Sequence, residues 1–382
     1  MTDRDALFSS LRRWPDVEDP TLQAHDASDA LILDEAVEPG RMPADVVVIG
    51  DRHGALTLGA LHDGAGHVRV HQDSIVAERA LAANAGALGE SRFTHHPLDA
   101  SLVEGARLVL LQLPRSLDEL DEIAELVATH ADEGVLLVAG GRVKHMSMSM
   151  NALLGRSFRS VHATLGRRKS RVLRAEGPRR PGISWPRNRQ HDVAGMPLTV
   201  VAHGGAFAGT SIDIGAQTLL AHLDAMPDAR VGPDAIGPGG FDAVDLASGT
   251  GVLGVALALA RPGVRVLATD ASAAAVASTI ATAEANGVAD RVIARQADGL
   301  DDVPDASAPL ILLNPPFHIG AVVHTGIAER LIADAGRALA PGGELWCVWN
   351  SHLGYRPLLD RIGATRQVSR NAKFVVTATR RR

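Results

Sequence analysis

Cysteine is nearly missing from this chain: Cys347 is the only one in 382 residues. A single thiol can form no intrachain disulfide and no cysteine-rich zinc site, which fits a reducing compartment; Cys347 in "ELWCVW" reads as a packed strand residue. Aromatic residues are almost as scarce, at 3%, which argues against a protein that holds single-stranded nucleic acid chiefly by stacking. Long apolar runs are also lacking. The longest, near "GVLGVALALA", is far too short to span a bilayer, and the first twenty residues mix both charges without the apolar core of a signal peptide. A soluble, cytoplasmic protein without membrane attachment is expected. The scattered histidines, His95 and His96 included, form no zinc signature, so no metal is expected.

What is present is an ordinary globular composition, 46% hydrophobic and 21% charged, in a length that suits two domains. The net charge of −6 argues on average against a nucleic-acid partner, but it hides a local bias. Between Arg156 and Arg189, eleven Lys/Arg residues stand against one acid, Glu176. Such a stretch either attracts phosphates through counterion release or is a solvated linker.

The chain also contains a copy of itself. "ADVVVIGDRHGALTLGAL" from Ala44 resembles "FDAVDLASGTGVLGVALA" from Phe241: an apolar strand, a glycine turn, then an apolar helix. Gly54 falls opposite Gly251 and Asp73 opposite Asp270, each at an offset of 197. Further on, Gln112 falls opposite Asn314. The first copy carries Val48 and Arg52 where the second has Asp245 and Gly249, and Gln112-Leu113-Pro114 where the second has Asn-Pro-Pro. An ancestral duplication whose first half kept the fold and lost the site is expected.

Residues 1–178 are read as the first domain, the Pro-, Gly- and Arg-rich 179–197 as a linker, and 198–382 as the second domain. An amphipathic helix, "SIDIGAQTLLAHL", opens the second domain. Strands are predicted near 242–246, 264–269, 291–296, 309–313 and 344–349, alternating with helices at 252–260, 272–286 and 322–339. "TRQVS" and "KFVVTAT" then form an antiparallel hairpin at the sheet edge. The fold class is α/β: two tandem doubly wound, mostly parallel sheets.

The chemistry gathers at predicted strand tips. Gly249-x-Gly251-x-x-Gly254 matches the dinucleotide fingerprint, with Asp270 following 21 residues after Gly249, so a nicotinamide enzyme is one reading. Asp245 discriminates. At the end of the first strand its carboxylate would repel a pyrophosphate but could pair with a cationic amino group, as S-adenosylmethionine carries. Asp270 can then take the ribose hydroxyls, and Asp298 can accept from the adenine amino group. The strand 309–313 stops at Asn314-Pro315-Pro316-Phe317, which is either a simple strand stop or a rigid ligand-facing tip.

"VDLASGTGVLG", "ATD", "ADGL" and "NPPF", in this order, resemble a class I S-adenosylmethionine-dependent methyltransferase. "NPPFHIG", "LAPGGELWCVWNSHLGY" and "KFVV" are similar to the ribosomal RNA guanine amino-group methyltransferases, and "LPRSLDEL", "VAGGRVKHM" and "IDIGAQ" look most like the large-subunit branch of that group. The resemblance covers nearly the whole chain. It implies an inactive first copy, an active second one, and a cofactor site built from Asp245, Ala247, Gly249, Gly251, Asp270, Ala271, Asp298, Gly299 and Asn314. Two departures stand out: Ala247 replaces the first glycine of the turn, and "WNSHLGY" replaces the usual "ANRHLPY".

The resemblance further implies a role for Asn-Pro-Pro-Phe. An exocyclic amine on a purine is a poor nucleophile because its lone pair is delocalised. The Asn314 side-chain oxygen and the Pro315 carbonyl can accept both N–H hydrogens and aim the lone pair at a methyl group, Pro316 stiffens the turn, and Phe317 stacks on a flipped base. His318 either shapes the pocket or is an ordinary loop histidine. The expected partner is ribosomal RNA or a ribosomal subunit, met by a monomer and gripped by Arg167, Arg168, Lys169 and Arg171 of the first domain and by Lys373, with Arg370, of the second. A glutamine amide or an adenine amine could use the same clamp, and a non-catalytic RNA-binding or ribosome-assembly factor could retain the fold.

Overall fold

The structure, a computed structural model, describes residues 3–36, 41–228, 240–316 and 324–382. The chain divides into two compact units, Met1–Trp185 and Pro186–Arg382. In the first unit one sheet contains β1 (Asp45–Ile49), β2 (His67–His71), β3 (Phe93–His95), β4 (Leu108–Gln112), β5 (Leu136–Arg142), β6 (Phe158–Ala163) and β7 (Ser170–Pro178), in the order β3-β2-β1-β4-β5-β7-β6. The first five pair in parallel, and β7 runs antiparallel to both β5 and β6.

The second unit opens with a hairpin, β8 (Arg187–Val193) and β9 (Met196–Ala202). Its sheet contains β10 (Ala243–Leu246), β11 (Val266–Asp270), β12 (Val292–Gln296), β13 (Ala308–Leu313), β14 (Leu339–Asn350), β15 (Gly363–Arg370) and β16 (Phe374–Arg381), in the order β12-β11-β10-β13-β14-β16-β15. Strand for strand this repeats the first sheet, as the internal similarity of the sequence anticipates.

Burial on both faces explains why the central strands read as apolar runs. Leu310 and Leu312 of β13 join one cluster with Val255, Ala256 and Trp346, while Ile311 and Leu313 join another with Ile332, Leu345 and Leu359. The helix Val252–Ala260 matches its predicted bounds and is buried along nearly its whole length. The helix predicted at 272–286 runs Ala273–Ala285, with Ser272 capping it by accepting the Ala275 N–H. Cys347 is fully buried in β14, where desolvation pushes its thiol pKa up. Among the described residues no helix is long and apolar enough to cross a membrane.

Three expectations need correction. The segment 179–197 is not an aperiodic linker, since it contains β8, whose polar "RNRQHDV" is mostly exposed and therefore lacks apolar alternation. The strand predicted at 344–349 begins earlier, at Leu339, because a register shift between Ala308 and Leu310 lets β13 pair with both ends of the "PGG" turn. The helix read as 211–223 is confined to Ile214–Leu220, with Asp213 as its N-cap. The helix predicted at 322–339 runs His324–Ala338, and residues 322 and 323 lie outside the described residues.

Among the described residues seven non-glycine positions have positive φ, and Ala247 is the one that lies in the glycine turn of the second unit. Ala247 has φ +57°, whereas Gly50, which occupies the same place in the first unit, has φ +80°. Only glycine adopts this region without a Cβ penalty. Ala247→Gly is expected to stabilise the chain by about 0.5–1 kcal/mol, read from urea midpoints at constant slope.

Candidate active site

The parallel strands of the second sheet place their functional side chains on one edge. Asp245 lies one residue before the end of β10, Asp270 ends β11, and Asn314 follows β13 directly; the registers Leu246↔Thr269 and Leu246↔Leu313 set these tips side by side. Asp298 and Gly299 follow β12. The glycine turn between β10 and the helix Val252–Ala260 uses left-handed backbone at Ala247, Gly249 and Gly251. A Cβ at Gly251 would lie 2.6 Å from Thr279 Cγ2, so this glycine is required for close packing, whereas Gly249 faces open space.

Asp245 is fully buried. Its Oδ2 accepts the Gly254 N–H at 2.8 Å, but Oδ1 has no hydrogen-bond partner among the described residues. Burial, reinforced by nearby Asp270, pushes its pKa from 3.8 up to about 7 despite the Gly254 bond. Such a carboxylate is poised for a cation. Asp270 accepts the N–H of Gly249 at 2.9 Å and that of Ser272 at 2.9 Å, and so ties the glycine turn to the start of the next helix. Ala271 sits between them, its carbonyl accepting from Gln296.

Asp298 is less free than its sequence position suggests. Arg330 grips it through two bonds of 2.9 and 2.6 Å, so any ligand amine must share the carboxylate with a guanidinium. Gly299 has φ +67°, and a Cβ there would lie 2.6 Å from Asp334 Oδ2. Pro315 is buried and Pro316 half-buried. Phe317 and His318 lie outside the described residues.

Asn314 brings in a residue that sequence reasoning missed. Its Nδ2 donates to Asp213 Oδ2 at 2.9 Å, across 101 residues, and its Oδ1 is buried without a partner among the described residues. Asp213 Oδ1 meanwhile caps the helix Ile214–Leu220, accepting from Gly215 at 2.8 Å and Ala216 at 3.3 Å. The local signal was an N-cap acid followed by glycine in "IDIGAQ", which predicts a helix start but not its contact.

The proposed RNA contacts lie at hairpin tips. Ser170 pairs with Arg142 at the end of β5, and Phe374 with Asn350 at the end of β14, so each tip stands at its own sheet's C-terminal edge. Arg168 and Lys169 form the two-residue turn between β6 and β7 with φ +49° and +62°, a geometry that normally selects asparagine and glycine. Both are exposed, as are Arg171, Arg370 and Lys373. Arg167 is instead paired with Glu35 at 2.8 Å. Among the described residues no group of three or more His, Cys, Asp and Glu is arranged to hold a metal ion.

The first unit satisfies its own glycine turn. Asp51 Oδ1 accepts from Gly54 at 3.0 Å and Oδ2 from Thr57 at 2.8 Å, so both oxygens are used. Thr57 is the counterpart of Gly254, and the carboxylate above it comes from the loop because the strand position is Val48.

A sheet ordered 3-2-1-4-5-7-6 with its seventh strand antiparallel, and acids on its first two central tips, defines a methyltransferase-type Rossmann-like fold. Accordingly, residues 197–378 match the Methyltransferase small domain and residues 2–179 the RLMG N-terminal domain. Ribosomal RNA large subunit methyltransferase G of Streptomyces coelicolor is 35% identical over 96% of both chains. The protein of that name from Pseudomonas aeruginosa (strain UCBPP-PA14) is also 35% identical over 96% of both. A T. Thermophilus 16S rRNA N2 methyltransferase, solved with AdoMet and guanosine, superposes with a TM-score of 0.75 at 22% identity, covering 99% of this chain and 100% of that one. The chain belongs to the ribosomal RNA large subunit methyltransferase G family, as its motifs anticipated.

The raised pKa of Asp245 has a sign that can be tested. The folded chain holds this proton more tightly than the unfolded one, so the contribution is full below about pH 4 and is lost as pH rises through about 7. Asp245→Asn is expected to flatten the decline in unfolding free energy between about pH 4 and about pH 7, measured by urea titration without ligand. A decline as steep as in the unsubstituted chain would assign it to other groups.

Proposed function

We propose that this chain transfers a methyl group from S-adenosylmethionine to the exocyclic amino group of a guanine in large-subunit ribosomal RNA. The observation that carries the reading is the Asn314 side-chain oxygen, buried at the tip of β13 with no partner among the described residues while its NH2 is anchored. A buried, unpaired acceptor is costly unless a ligand completes it.

The cofactor fits the residues present. Asp245, fully buried with one oxygen unpaired among the described residues, would receive the amino group of the methionine end. Ala247, Gly249 and Gly251 form the close-approach turn, Asp270 with Ala271 would meet the ribose, and Asp298 with Gly299 the adenine. When bound, S-adenosylmethionine supplies a methyl group on a positively charged sulfur. The chain's own task is then positioning: Asn314 Oδ1 and the Pro315 carbonyl would accept the two amine hydrogens and Pro316 would hold that carbonyl still, while Phe317, outside the described residues, is the proposed stacking face for the base.

RNA as the acceptor is supported by the basic hairpin tips. Arg168 and Lys169 sit at backbone angles unfavourable to them, and strain of this kind tends to persist where function requires it. With Arg171 in the first unit, and Arg370 and Lys373 in the second, they would contact phosphates, which makes the first unit an RNA-docking module. Action on ribosomal RNA supports a cytoplasmic location, and the proposed enzyme is a monomer. A purely structural RNA-binding role leaves the buried, half-paired Asp245 without a purpose.

The direct test is labelled methyl transfer to ribosomal RNA and partly assembled subunits from a strain lacking this gene, followed by nucleoside mass spectrometry. Guanosine methylated on its exocyclic amine in the large-subunit fraction supports the reading; cofactor binding without labelled RNA would move it to a protein or DNA amine. Asn314→Ala should lower turnover on the order of 100-fold with cofactor affinity little changed. Arg168→Glu combined with Lys169→Glu should weaken RNA binding at least about tenfold at low salt and reduce the salt slope by about 2, without affecting cofactor affinity.

A further inference from the structure

An amide has an accepting end and a donating end of nearly the same shape, and only the accepting end of Asn314 can hold an amine. What decides which end faces the substrate lies on another element. Asp213 Oδ2 receives Asn314 Nδ2 at 2.9 Å while Asp213 Oδ1 is occupied by the Gly215 and Ala216 N–H groups. An ionised carboxylate only accepts, so the NH2 must turn toward it and the carbonyl oxygen away. Gly215 completes the arrangement: a Cβ there would stand 2.7 Å from Asn314 Oδ1, so any larger residue would push that oxygen aside.

We propose that Asp213 is the positioning residue of the reaction: its second oxygen fixes the Asn314 amide so that the tip of β13 offers an acceptor, not a donor, to the substrate amine. The inference rests on the amine-clamp reading of Asn314 given above. The first unit contains a related contact. Asp26 accepts the Ser28 N–H at 2.9 Å at the start of the helix Ala27–Ala36, and Gln112 Nε2 donates to Ser28 Oγ at 2.9 Å and Asp29 Oδ1 at 3.2 Å. Ser28 thus stands where the second unit has Gly215. The contact therefore also tethers a helix to a strand tip in both copies, and a test must separate tethering from positioning.

Asp213→Asn does so. Asparagine is as good an N-cap as aspartate, so the one oxygen it keeps can stay on the helix. The amide nitrogen it introduces then faces Asn314, whose own amide turns over and presents NH2 to the substrate. Asp213→Ser keeps the cap and removes the second acceptor altogether. Both variants, Asn314→Ala and the exchange Asp213→Asn with Asn314→Asp are assayed for kcat and KM on ribosomal RNA from a strain lacking this gene, for S-adenosylmethionine affinity by calorimetry, and for Tm. The expected result is a fall in kcat of about 10- to 100-fold for Asp213→Asn and Asp213→Ser, with cofactor Kd within about twofold. The exchange, which restores one donor, one anchoring oxygen and one free oxygen, should regain at least about tenfold over Asp213→Asn. An unchanged kcat in Asp213→Asn beside an inactive Asn314→Ala would overturn the positioning role alone. An active Asn314→Ala would overturn the clamp itself. Loss of kcat that the exchange fails to recover, although Tm returns, would reduce Asp213 to a tether.

Discussion

A helix that begins deep inside a sheet edge must find acceptors for its first N–H groups, and no water is at hand to provide them. Both units of this chain meet that demand with a carboxylate under the glycine turn. In the first unit Asp51 reaches back from the loop and uses both oxygens. In the second, Asp245 comes up from the strand, uses one oxygen on Gly254, and leaves the other buried without a partner among the described residues. The remaining features of the second edge follow from this choice. The unpaired oxygen calls for a cation, Asp270 braces the turn that would surround it, and the neighbouring strand ends in an amide instead of a further charge.

The two copies therefore differ less in fold than in the carboxylate of the glycine turn, which uses both oxygens at Asp51 and one at Asp245. The strand order is the same, the left-handed turn positions recur at Gly50 and Gly54 and at Ala247 and Gly251, and each sheet keeps a hairpin tip at its C-terminal edge. Ala247 bears a Cβ penalty that Gly50 avoids, while Arg168 and Lys169 occupy a turn that small residues fill more easily.

Much of this was legible before any coordinates. Strands β10 to β13 of the second unit fall within two residues of their predicted bounds because strands covered on both faces have to be apolar runs, and Asp245, Asp270 and Asn314 do sit on neighbouring tips. What escaped the sequence was pairing over distance. Nothing near Asn314 announces Asp213, 101 residues away, and nothing near Asp298 announces Arg330. Exposed structure escaped as well: β8 is a strand without an apolar face, so its residues resembled a linker, and the Asp51 bonds that fill the first turn depend on a loop conformation that periodicity does not encode.

The internal completeness of the first turn has a thermodynamic consequence. A ligand held at the second edge stabilises the folded form of the unit that binds it, by an amount that grows with the logarithm of its free concentration. The first unit's turn already has both Asp51 oxygens engaged and leaves no carboxylate oxygen there for a ligand to complete. The stability of the second unit would then follow the supply of methyl donor, which ties its resistance to unfolding to the metabolic state of the cell.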